Sequence, residues 1–93
     1  MGLAAYLPVD LNPRGSGDLL LAAPPQPLAG ATWCCQVMVK ADNKNAAKVL
    51  LGVLGNTLFR LYPGDAATFP LGNLANLWVD GQPGDSVSFL YWA

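Results

Sequence analysis

The residues of this chain with the most obvious chemical capacity are two adjacent cysteines, six aspartates and three spaced lysines, and none of these sets is arranged to do chemistry. General acid–base catalysis near neutral pH relies mostly on histidine or on carboxylates with shifted pKa. The chain has no histidine, and all six of its acidic residues are aspartate. Asp18, Asp65, Asp80 and Asp85 each adjoin a glycine, where aspartate is a favoured turn residue, and Asp10 before Leu11-Asn12-Pro13 reads the same way. Asp42-Asn43-Lys44-Asn45 is similar to the start of a calcium loop, but Lys44 stands where an oxygen ligand is needed and no glutamate closes the loop. Gly15-Ser16-Gly17 and Gly52-Val53-Leu54-Gly55 lack the helix and lysine of a phosphate cradle, and the serines have no base to activate them. The reading is of a protein that is not an enzyme, with no catalytic residue, no metal site and no cofactor.

Cys34 and Cys35 would point to opposite faces of a strand, so they pair poorly with each other. Two buried small apolar residues in a reducing compartment is the simplest account, with an intermolecular disulfide as the alternative. Without histidine or a second cysteine pair, a zinc site lacks ligands.

Composition says more. Of 93 residues, 53% are hydrophobic and only 12% are charged, where a typical soluble domain has about 25% charged residues. A domain this small buries only about 60% of its unfolded surface. There is more apolar material than one small core can hide, so self-association or a larger partner surface is expected. The net charge of −1 provides no basic field for nucleic acid or anionic lipid; only Lys40, Lys44 and Lys48 approach a patch, around a turn. No apolar run approaches the roughly 18 residues of a membrane span. Leu3-Ala4-Ala5-Tyr6-Leu7 follows no basic residue and is cut by Pro8, which argues against a signal peptide.

The pattern along the chain divides it in two. Residues 1–32 hold Pro8, Pro13, Pro24, Pro25 and Pro27 but only one aromatic, Tyr6. Proline opposes helix interiors and central strands, so this part reads as an extended arm lying on another surface. Its apolar run Leu19-Leu20-Leu21-Ala22-Ala23 is expected as a short strand after a turn over Arg14–Asp18. Residues 33–93 alternate short apolar segments with turns, as in a small antiparallel β-sandwich or barrel-like module, all-β throughout.

Trp33, Cys35, Val37 and Val39 are expected on one face of a first strand, with Gln36, Met38 and Lys40 opposite. A second strand is expected over Lys48–Val53, then a hairpin connection at Gly55-Asn56 and a third strand with Thr57, Phe59 and Leu61 on one face. Ala46, Val49, Leu50, Val53 and Leu54 also fit a helical stripe, but Gly52 within it favours a strand. Tyr62-Pro63-Gly64-Asp65 and Gln82-Pro83-Gly84-Asp85 both read as type II turns, punctuating a meander. In the last strand Val87, Phe89 and Tyr91 should enter the core. The other face begins with Ser86 and Ser88 and then turns apolar with Leu90 and Trp92. Trp78 likewise stands opposite Leu77 and Val79. Trp78 and Trp92 are therefore candidates for a second buried surface, covered either by the arm of the same chain or by a neighbour. With Tyr6, Leu19, Leu20 and Leu21 they form the predicted self-association or partner interface. A carbohydrate platform on Trp78, with Asn73, Asn76 and Asp80 as polar neighbours, is a rival reading.

Certain segments also carry a resemblance. Lys48-Val49-Leu50-Leu51-Gly52 is followed by Leu61-Tyr62-Pro63-Gly64-Asp65, then Leu74-Ala75-Asn76-Leu77-Trp78-Val79-Asp80-Gly81, then Gly84-Asp85-Ser86-Val87-Ser88-Phe89-Leu90-Tyr91. This order, across about half the chain, resembles small β-sandwich modules in virion proteins of tailed bacteriophages, both head decoration (cement) proteins and fibre or tail components. The resemblance implies a non-enzymatic virion part, made in the host cytoplasm and seated on the capsid surface. Its partners would be the major capsid protein or another virion protein and further copies of itself, with a trimer the implied state. A tail, baseplate or fibre component is the alternative within the class. The Pro-rich arm departs from the bare module and suits a segment that reaches a neighbour.

Overall fold

A computed structural model describes residues 13–93, so Tyr6 and the rest of residues 1–12 lie outside the described residues. The chain is all-β. Its strands are β1 (Gly15–Leu20), β2 (Gln26–Pro27), β3 (Gln36–Ala41), β4 (Val49–Val53), β5 (Asn56–Leu61), β6 (Ala66–Pro70), β7 (Trp78–Asp80) and β8 (Ser86–Trp92), with one 3-10 turn at Leu74–Asn76. They form two four-stranded sheets, in the orders β1-β8-β3-β6 and β2-β7-β4-β5, with every pairing antiparallel. This is the strand order of an eight-stranded jelly roll. The expected meander does not form: only β4 and β5 are neighbours both in sequence and in a sheet. Every other connection crosses between sheets, because each sheet must bury its apolar face against the other.

The inner faces follow from period-two alternation. Val37, Val39 and Ala41 from β3, Val87 and Phe89 from β8, and Val49, Leu51, Leu61 and Val79 from the second sheet make the core. The helical stripe over residues 46–54 is overruled because Val49 and Leu51 pair across to Leu61 and Phe59. Both Pro-Gly-Asp turns form as read. Asp65 N–H donates to the Tyr62 carbonyl at 2.8 Å and Asp85 N–H to the Gln82 carbonyl at 3.0 Å. Gly64 and Gly84 supply the positive φ, 89° and 97°, that this turn requires. The hairpin turn is Leu54-Gly55, one residue earlier than expected, closed by the Val53–Asn56 pair.

Residues assigned from composition to the arm contribute β1 and β2, edge strands of the two sheets. The segment read as a turn, Arg14–Asp18, is mostly strand, and the strand expected to run from Leu19 to Ala23 ends at Leu20. Gly15 and Gly17 lie opposite Tyr91 and Phe89, and a Cβ on either glycine would meet the facing side chain, at 2.6 Å from the Tyr91 hydroxyl and 2.7 Å from the Phe89 ring. The aromatic rings occupy the space the glycines leave open, which offsets glycine's poor strand propensity.

Candidate interaction surface

The jelly roll has two ends of different character. At one, the loops after β1, β3, β5 and β7 are stitched together. Asp85, only 6% exposed, accepts the Ala46 and Ala47 N–H groups on its two carboxylate oxygens at 2.8 and 3.1 Å. Asn45 exchanges two hydrogen bonds with the Ser86 backbone, at 2.8 and 2.9 Å. The Asp42 carboxyl is held below the usual carboxylate range by the Lys44 N–H at 2.9 Å, with lesser help from the Ser86 hydroxyl at 3.3 Å and against partial desolvation. The tetrad similar to a calcium loop is thus a structural turn. Among the described residues no three potential metal ligands converge.

The opposite end receives the chain at residue 13 and holds the turns after β2, β4 and β6. Trp33 there is 81% exposed, and Val53 and Leu54 at the hairpin tip are also exposed. Trp33 was expected in the core-facing row with Val37 and Val39. It instead forms an isolated bridge to Asn73, and a bend at Cys35 shifts the alternation by one residue before β3 begins. A one-residue slip reverses every side chain, so Trp33 and Cys35 face out and Cys34 packs on the core. No signal in the sequence marks that bend.

The predicted interface residues are scattered by the fold. Leu19 is half-buried against the core, Leu20 is 62% exposed on the outer face, and Leu21 is a core residue, 1% exposed. Alternation divides the run, and only Leu20 is free to meet a partner. Trp78 is half-buried on the outer face of the second sheet, with Pro27 and Gly52 as cross-strand neighbours. Trp92 is half-buried on the outer face of the first, and its indole N–H is buried with no hydrogen-bond partner among the described residues. The two tryptophans therefore lie on different sheets. Of the proposed sugar-binding neighbours, Asn73 is committed to the backbone: its Oδ1 accepts the Thr32 and Ala75 N–H groups, both at 3.0 Å.

A cleft opens along one flank of the sandwich between β5 and β6, the edge strands of opposite sheets. Leu51, Phe59, Ala67, Phe69 and Leu77 line it, with a volume of about 340 Å³. Phe59 faces inward by its pairing with Leu51 yet is 54% exposed, because nothing among the described residues closes that flank.

The two cysteines are not equivalent. The Cys34 thiol donates to the Leu71 carbonyl at 3.0 Å, and burial, with the adjacent Cys35 as a smaller cause, pushes its pKa up. Cys35 is exposed. Since the thiolate is the reactive form, iodoacetamide should modify Cys35 in the folded chain and reach Cys34 only on unfolding. Mass mapping of the alkylated peptides checks this, and equal labelling of both in the native protein would contradict it.

Comparison of the chain with protein-family models, with curated proteins and with solved structures gives no match.

Proposed function

We infer that this protein is a non-enzymatic structural component of a tailed-phage virion, acting as a capsid decoration protein that stabilises the shell by binding across capsid subunits. The observation that carries the reading is an apolar end and an open apolar flank on a jelly roll with very few charges. Obligate interfaces are more apolar than free surfaces. Jelly rolls also serve as lectins and as metal-dependent enzymes, but this chain has neither histidine nor glutamate to ligate such a metal. The turn-and-strand order over residues 47–92 adds the phage resemblance. A protein that binds only the assembled shell stabilises it by mass action, multiplied over many sites.

Light scattering of the purified full chain, with co-sedimentation against shells of the encoding phage, tests the reading. The expected result is a trimer that saturates shells at a fixed ratio and raises their melting temperature. A monomer at every concentration that leaves shells unbound would overturn it.

A further inference from the structure

We propose that the end of the roll holding the turns after β2, β4 and β6 is the surface through which copies of this chain meet, with Trp33 and Leu54 as its anchors. The inference rests on the reading above only in taking the chain to self-associate. It starts from where the charges lie. Of the eleven charged side chains, Asp10 falls outside the described residues, and eight of the other ten gather at the stitched end. They sit in its loops or within two residues of them, from Lys40 near the close of β3 to Asp85 just before β8. Asp18 lies within β1, and only Arg14 stands at the other end, its N–H bonded to the Tyr91 carbonyl. Residues 28–35, 53–56 and 71–77, which build that end, contain no charged side chain.

This distribution selects a second copy as the partner. Around a symmetry axis each side chain lies near its own copies, so a charge there meets its like and must also shed water. A surface without charges avoids both costs, and the stitched end, with three lysines, does not. A single arginine gives no basic field for an anionic membrane. The apolar residues of the end have no role in folding: Trp33, Val53 and Leu54 are exposed and none packs on the core. Leu54 occupies a hairpin turn, a place where polar residues and glycine are usual. Tryptophan is among the side chains most enriched as interface anchors.

Sedimentation equilibrium of the full chain over a hundredfold range of concentration tests the proposal by comparing Leu54→Glu with Leu20→Glu. Each leucine is 62% exposed, but Leu20 lies opposite Ser86 at the stitched end. Both variants therefore change hydropathy and net charge alike, and both should keep the native far-UV circular dichroism. The native chain should assemble. Leu54→Glu should weaken assembly about tenfold and Trp33→Glu about a hundredfold, with Leu20→Glu within about twofold of native. Equal assembly by the native chain and both end variants would overturn the proposal, as would equal weakening by Leu20→Glu. So would a native chain that stays monomeric throughout, including one that binds phosphatidylcholine vesicles through this end instead. A chain that assembles through this end yet leaves phage shells unbound would defeat the virion reading and uphold the proposal.

Discussion

Leu21→Ala should cost about 3 kcal/mol of folding stability, while Leu20→Ala should stay within roughly 0.5 kcal/mol. The two leucines are adjacent and chemically identical, so the contrast isolates their position in the fold. Leu21 is fully enclosed, and its backbone is held on both sides: its N–H donates to the Asp85 carbonyl at 2.9 Å and its carbonyl accepts the Gly84 N–H at 2.8 Å. With the backbone fixed, the core cannot close around a shortened side chain, and the cavity term adds to the lost transfer energy. Leu20 faces solvent. In a small domain with a total stability of about 5–10 kcal/mol the difference is large. Urea unfolding of both variants measures it, and similar losses would show that β1 is not registered on β8 as described.

Asp85→Ala should destabilise by about 2–3 kcal/mol, and Asp85→Asn by roughly half as much. The carboxylate accepts two backbone N–H groups from the β3–β4 loop, one on each oxygen. Hydrogen bonds to a charged group contribute more than neutral ones, and removing the acceptor orphans both donors. Ala46 is exposed and its amide can turn to water, which limits the loss, while Ala47 is half-buried and has less access. Asparagine keeps one acceptor and places an N–H₂ against the second donor. Amides over residues 46–48 should exchange faster in both variants, since Asp85 ties the Ala46–Ala47 part of that loop to the β7–β8 turn. A cost under about 0.5 kcal/mol for Asp85→Ala would mean that the Asn45–Ser86 bonds alone hold the two loops together.

The local features of this fold are legible in the chain because their causes are local. Proline presets one dihedral and glycine permits the next, so both Pro-Gly-Asp turns stand where they were read. Val87 and Phe89 alternate with Ser86 and Ser88, and Val37 and Val39 lie on the face opposite Gln36, Met38 and Lys40, so each strand's core-facing side follows from the two-residue period. Which strands pair is a different matter. β3 bonds to β6 and β8, and β1 to β8 across some seventy residues. No period within a strand encodes a partner that distant, and the jelly-roll order follows from burying two apolar faces against each other.

Sequence alone determined an all-β chain, both of its Pro-Gly-Asp turns and its surplus of apolar residues. Tertiary structure decided where that surplus lies: Leu21 is core, Trp33 is free, and Phe59 lines an open flank. It also separated two identical turns. Asp65 and Asp85 follow the same Pro-Gly pair, yet Asp65 is exposed and accepts the Tyr62 N–H within its own turn, whereas Asp85 is buried against a loop nearly forty residues away. Local sequence sets a residue's backbone conformation, but only the assembled fold brings up the distant donors that exclude water from one carboxylate and leave the other wet.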